Sequence, residues 1–368
     1  MKTQQPKSPY ARRRRRAVKL AAEFGCEAFL VTSPVNVRYL TGFTGGDSFL
    51  MLAGNDACLL SDPRYEVQIE EECPGLDVHL RRPDQVLLPV AVEYGGERGY
   101  RDIAFEASHL SYAAYQRLVQ EPGSVNWKAA SGLVERLRVR KEPDEIAAIR
   151  QAVEIAERVF TAIRAQLTPK WTENEIANEL ERLIRNLGGS GCSFDPIVAV
   201  GPRAALPHAP PRTTQIGSAP LLLIDWGATF AGYRSDLTRV ILTSKIPPKI
   251  VKAYEAVLAA QQAAIQAIRP GVPVSEIDAA ARSEITKAKL GKFFNHGLGH
   301  GIGLEIHEDP FLRDSGGRQP KRSAPRPRAA SNRVVAEDRE TLLSPGMVVT
   351  IEPGVYLRDV GGIRIEDD

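Results

Sequence analysis

The sequence predicts an α+β protein in two parts: a smaller α/β domain over residues 1–140 and a larger domain over 141–368 built from two similarly ordered halves. Three observations carry this. The chain has 368 residues, more than a single hydrophobic core usually organises. Up to about residue 140, short apolar runs alternate with helical stretches. Beyond it, residues 143–242 and 248–368 repeat one order: two amphipathic helices, then strands bearing acidic residues. No strong identity relates the halves, so the repeat is one of organisation, a pseudo-two-fold, and not a solenoid period.

In the first domain, Arg12–Arg16 opens a helix running to about Phe24, and the arginine run reads as a solvated helix end. Strand "EAFLVT", a helical turn around "NVRYLTGF", strands "SFLML" and "DACLLS", helix "RYEVQIEEE" and strand "DVHL" follow. His79 and His109 stand isolated and read as structural. In the second domain, Ile146, Ile149, Val153, Ala156, Phe160, Ile163 and Leu167 make a helical stripe with Pro143 in the first turn. Thr172 and Glu175 form a capping box and Gly188 a stop. After strands "FDPIVAV", "LLLID" and "RSDLTRVIL", a helix is expected from Pro248 to about Ile268. A second, capped by Ser275 with Asp278, is expected to run to about Leu290. Strands "HGLGHGIGLEI", "MVVTIEPGVYL" and "GGIRIED" close the chain. Residues 313–340, rich in Pro, Ser and basic side chains, read as a flexible basic insertion.

Composition narrows the functional classes. With 43% hydrophobic and 25% charged residues the chain has ample material for a core, and a net charge of +3 offers no global basic field for nucleic acid. No apolar run approaches the roughly 20 residues that span a bilayer, and no apolar stretch follows the N-terminal arginines as a secretory signal requires. Cys26, Cys58, Cys73 and Cys192 lie far apart without a CxxC, which reads as reduced thiols in a cytoplasmic protein.

Chemistry gathers near the C-terminus. In "NHGLGHGIGLEIHE" the glycines take odd positions and His296 and His300 even ones, a strand period with both imidazoles on one face. Four residues of strand span roughly 13 Å, so one histidine is expected as a ligand and its neighbour as a substrate group. In "LLLIDWGATFAGYRSDLTRVIL" a hairpin centred near Phe230 and Ala231 would set Asp225 opposite Asp236, with Cβ atoms roughly 5 Å apart. A hairpin centred near Asp359 would set Glu352 opposite Glu366. Like charges facing each other in a buried setting need a cation or a raised pKa. Four carboxylates and an imidazole balance two divalent ions, and mixed O/N ligation without thiolate suits Mn²⁺, Co²⁺, Fe²⁺ or Zn²⁺. Such two-metal sites activate water near neutral pH.

These residues resemble the pita-bread metallopeptidases, in particular the Xaa-Pro branch that contains aminopeptidase P and prolidase. The resemblance runs through "NVRYLTGF", "SDPRYEVQ", "KEPDEIAAIRQA", "SFDPIVAVGPRAALPHA", "DWGATFAGYRSDLTR", "HGLGHGIGLEIHE", "SPGMVVTIEPGVYL" and "GGIRIEDD". It implies a pita-bread catalytic domain behind a creatinase-type N-terminal domain, with Asp225, Asp236, His300, Glu352 and Glu366 as ligands of two metal ions, manganese first among them. It further implies His208, His296 and His307 as substrate-facing histidines and Arg364 as an orienting group. Glu352 is expected to double as the proton carrier. The substrates implied are dipeptides or short peptides with proline second, the assembly a homodimer, and no membrane or nucleic acid is involved. The last proposed ligand lies two residues from the end at Asp368, where relatives of this type usually continue. A truncated or metal-free pita-bread binding protein without peptidase activity is therefore the alternative expectation.

Overall fold

The computed structural model describes residues 9–120, 125–242, 246–313 and 341–368. Among them the chain divides into two compact units, the first ending at Arg138 and the second beginning at Val139.

The first unit contains, in order, α1 (Pro9–Glu23), β1 (Ala28–Val31), α2 (Pro34–Thr41), β2 (Ser48–Ala53), β3 (Asp56–Ser61), α3 (Glu66–Glu72), β4 (Asp77–Leu80), α4 (Leu87–Glu97), β5 (Asp102–Glu106), α5 (Tyr112–Gln120), β6 (Asn126–Ala130) and α6 (Glu135–Arg138). The strands form one mixed sheet in the order β4-β3-β2-β1-β5-β6. The interior strand β1, "AFLV", is buried at every position, as an inner strand covered on both faces must be. The reading of Arg12–Arg16 as a solvated end needs one correction. Arg13 is buried, lies 4.4 Å over the Tyr39 ring and donates to the Tyr39 carbonyl at 3.2 Å, so it ties α1 to α2. His79 packs edge-on against Tyr94, and His109 meets the Thr32 hydroxyl at 3.1 Å. The Thr32 hydroxyl also lies 3.3 Å from Glu106 Oε2, and the cysteines are free thiols.

The second unit opens with α7 (Pro143–Gln166) and α8 (Glu173–Asn186), and its later half with α9 (Pro248–Ala267) and α10 (Val274–Lys287). Helix α8 has the Thr172/Glu175 capping box. Ser275 does not cap α10: the helix begins at Val274 behind Pro273, whose ring already fixes the entry dihedral. Asp278 lies inside the helix, fully buried, 2.7 Å from the Arg282 guanidinium. Between the helix pairs run β7 (Gly191–Cys192), β8 (Ile197–Val200), β9 (Leu221–Trp226), β10 (Ala228–Phe230), β11 (Tyr233–Arg234) and β12 (Leu237–Leu242). After α10 come β13 (Gly299–Gly301), β14 (Glu308–Leu312), β15 (Gly354–Leu357) and β16 (Gly361–Arg364). Trp226 at the end of β9 is fully buried, stacks on Phe160 of α7 at 4.9 Å and donates to the Ala156 carbonyl at 3.1 Å. That anchor fixes the strand end from which Asp225 projects.

The expected strand through 296–304 is realised only at β13, with an irregular register against β14. A Cβ on Gly299 would collide with the Thr350 carbonyl. Glycine here admits another backbone, and a run of such close approaches breaks the regular ladder. The basic insertion expected over 313–340 falls, apart from Arg313, outside the described residues.

Candidate metal centre and its cavity

Two hairpins deliver the carboxylates. The first turns at Ala231–Gly232, both at positive φ (48° and 83°), the two-residue turn whose twist matches the flanking strands. Its register pairs Asp225 with Thr238, not with Asp236 as expected from a turn at Phe230–Ala231. The slip is two residues, so Asp236 keeps the same face and sits diagonally from Asp225. Gly227 lies between them, where a Cβ would collide with the Ser235 carbonyl. The second hairpin pairs Gly354 with Arg364, and the Ile351–Asp367 bridge continues that register, which sets Glu352 across from Glu366. The hairpins meet at the Thr238–Glu366 bridge.

The floor of the site is buried. Asp225, Asp236, His300, Arg364 and Glu366 are each buried to 6% exposure or less. One ligand atom each from Asp236, His300 and Glu366 lie within 4.8 Å of one another, a spacing that a single cation could fill. His300 Nε2 is 3.7 Å from both Asp236 Oδ2 and Glu352 Oε1. Its Nδ1 lies 3.0 Å from the Gly301 carbonyl. That contact places the ring proton on Nδ1 and leaves the Nε2 lone pair for a cation. Asp225 takes a different partner, an ion pair with Arg364 through Oδ2. Its Oδ1 and Glu366 Oε1 are buried acceptors without a hydrogen-bond partner among the described residues. Orphaned buried carboxylate oxygens beside the Asp236–His300–Glu366 group are what a divalent-ion site would satisfy, so the residues fit divalent-ion binding.

The electrostatics agree. Burial pushes Glu366 up to about 8, with Asp225 adding to it. Asp236 and Glu352 rise well above the usual carboxylate range through burial first and Glu366 next. Asp225 is raised by burial, which the Arg364 charge offsets only in part. Without cations the cluster holds protons instead. Burial lowers His300 and His296 to about 4, so both rings are neutral at pH 7.

Around the floor a cavity of about 1120 Å³ opens, lined by all nine residues singled out from the sequence. His208 and His307 stand at its exposed side, with the His307 ring 4.4 Å from that of His300. His296 is held away from the cluster: Nδ1 meets the Gly297 carbonyl at 2.7 Å and Nε2 meets the Tyr356 hydroxyl at 2.9 Å. Two residues not singled out from the sequence complete the site. Arg364 donates to the Tyr356 hydroxyl at 3.0 Å, linking Arg364 to His296. The Thr238 hydroxyl donates to Glu366 Oε2 at 2.7 Å and accepts from Arg364 Nε at 3.0 Å. Period-two counting from Glu352 and Asp236 places Tyr356 and Thr238 on the ligand faces, a signal available in the sequence.

Comparison with known proteins agrees with this architecture. The model of the creatinase/prolidase N-terminal domain matches residues 13–140, and that of metallopeptidase family M24 matches residues 147–368. An Xaa-Pro dipeptidase of Pyrococcus horikoshii is 32% identical over 345 residues, covering 93% of this chain and 89% of that protein. Among solved structures, an Xaa-Pro dipeptidase from Bacillus anthracis superposes with a TM-score of 0.87 at 33% identity, covering 98% of this chain and 94% of that one. An X-Pro aminopeptidase from Thermotoga maritima gives 0.81 at 31% identity, covering 95% and 93%. With its α/β N-terminal domain and pita-bread catalytic domain, the chain belongs to metallopeptidase family M24.

Proposed function

We propose that this chain is a two-metal exopeptidase that cleaves between an N-terminal residue and a following proline. The buried Asp236–His300–Glu366 cluster beneath an open cavity carries the reading, and the named relatives support its proline preference. Asp225, Asp236, His300, Glu352 and Glu366 would hold the ions. Two divalent ions there supply water activation and Lewis-acid polarisation of a carbonyl.

The chain's own groups do the rest. Glu352 is half-buried with a raised pKa, and takes a proton from the attacking water and delivers it to the leaving prolyl nitrogen. That nitrogen belongs to a tertiary amide without N–H, so it has to be protonated for expulsion and offers no donor for recognition. Both ring nitrogens of His296 are engaged by Gly297 and Tyr356, which makes it a positioning group. His307, exposed at the cavity beside His300, is the imidazole available to meet the developing oxyanion.

Stripped of metal, the protein should not hydrolyse Ala-Pro peptides, and Mn²⁺, Co²⁺ or Zn²⁺ should restore the reaction. Absence of cleavage with every metal, or equal cleavage of Ala-Ala peptides, would sink the reading. Ion binding should also release protons. At pH 7 the metal-free Glu366 is protonated, its pKa near 8 lying above the pH, so affinity should rise with pH up to about 8. Because a carboxyl raised on folding binds protons more tightly in the native state, the metal-free fold should lose stability as pH climbs from about 4.5 to 8. Calorimetry in buffers of different ionisation enthalpy measures the released protons, and identical heats would contradict the assignment.

A further inference from the structure

A second depression of about 450 Å³ shares Ala177, Asn178, Phe194, Asp195 and Pro196 with the cavity, so the two adjoin in a trough along α8. One side is a single face of α8, with Asn174 and Asn178 along the first part and Glu181 and Arg185 along the second. Their spacing of i, i+4, i+7 and i+11 keeps all four on one stripe. From Asn174 to Arg185 the helix rises about 16 Å, the length of about five residues of extended chain. A dipeptide needs less than half of that.

The chemistry along the stripe suits a peptide. Asn174 and Asn178 are exposed, and their side-chain amides have no hydrogen-bond partner among the described residues. At the far end Arg185 Nε lies 2.6 Å from Glu181 Oε1, and Glu181 Oε2 accepts from the Cys192 N–H at 2.7 Å. The guanidinium lies over Gly191, where a Cβ would come within 2.8 Å of Nη2. Glu181 thereby pins the guanidinium to the wall, and its terminal N–H groups have no acceptor among the described residues.

We infer that the outer part of this trough is an extended subsite for the residues that follow the proline, and that the substrates, lying along its whole length, are short oligopeptides of about five residues. The Asn174 and Asn178 amides bond to the peptide backbone, and Arg185 receives the C-terminal carboxylate. The inference rests on the proposed Xaa-Pro reading, because only a scissile bond at the N-terminus sends the rest of the peptide outward.

The test compares kcat/KM of the metal-loaded full chain for Ala-Pro, Ala-Pro-Ala and Ala-Pro-Ala-Ala-Ala, the last also as its C-terminal amide. The pentapeptide should lead, and either Arg185→Gln or amidation should lower its value by about tenfold, the worth of one charge-assisted hydrogen bond. Applied together, the two changes should cost no more than one. Fastest cleavage of the dipeptide would overturn the subsite and leave the Xaa-Pro reading standing. Equal losses in Arg185→Gln at every length, or amidation losses that add to those of the variant, would also overturn it. No cleavage of any proline peptide would remove both.

Discussion

The two acidic hairpins of the catalytic domain look alike in sequence and differ in geometry. In the β15–β16 hairpin the carboxylates of Glu352 and Glu366 fall directly across the ladder. In the β9–β12 hairpin Asp225 faces Thr238, and Asp236 lies one pleat toward the turn. The cause is the turn. Ala231 and Gly232, both at positive φ, close a two-residue loop, whereas Leu357 pairs with Gly361 across a three-residue loop containing Asp359 at φ 65°. The slip has a chemical consequence. It brings Thr238 to the crossing of the hairpins, where one hydroxyl serves Glu366 and Arg364 together. A directly opposed Asp225–Asp236 pair would put an acid there. Both hairpins bring carboxylates to the cluster, and the first also lends a hydroxyl to Glu366 of the second, so the pseudo-symmetry of the halves does not extend to every role.

Three perturbations break or sharpen this contrast, in decreasing order of effect. Asp236→Ala and Glu366→Ala each remove a member of the buried cluster from a different hairpin. Each should lower metal affinity by more than the roughly 100-fold ceiling of outer-shell changes, read by competition against a chelator. A variant that retained both ions would show that its hairpin is dispensable. Thr238→Val keeps shape and removes the hydroxyl shared by Glu366 and Arg364. Affinity should fall about 10–100-fold with the fold retained, and unchanged affinity would mean that the slipped register has no bearing on the ions. Ala231→Gly relieves a non-glycine residue at φ 48° on an exposed turn. Left-handed strain outweighs the added chain entropy, so urea denaturation should show a gain of about 0.5–1 kcal/mol. A loss would mean that the turn is not what sets the register.

Much of the catalytic domain was legible because its signals are local. The Thr172 capping box and the α7 stripe need only neighbours within a turn or two. The acids Asp225, Asp236, Glu352 and Glu366 were legible as a set because two polar residues ending apolar strands in matching places is a pattern of period and position. Less was legible in the first unit beyond β4. There β5 and β6 carry mixed polar and apolar runs, and their identity comes from sheet neighbours distant in sequence. The Ser275 cap failed for a related reason: a proline two residues earlier had already started the helix.

By itself the sequence determined that Asp225 shares a face with Asp236 and Glu352 with Glu366. Strand side chains alternate with a period of two, and no slip by an even number of residues can change that face. Only the tertiary structure decided which residues meet. It placed Arg364 on Asp225, engaged both nitrogens of His296, set Thr238 against Glu366 and opened the trough along α8. Those outcomes depend on turn geometry and on the abutment of two hairpins about 130 residues apart in the chain (Thr238 and Glu366). Local periodicity carries no information about contacts over that distance.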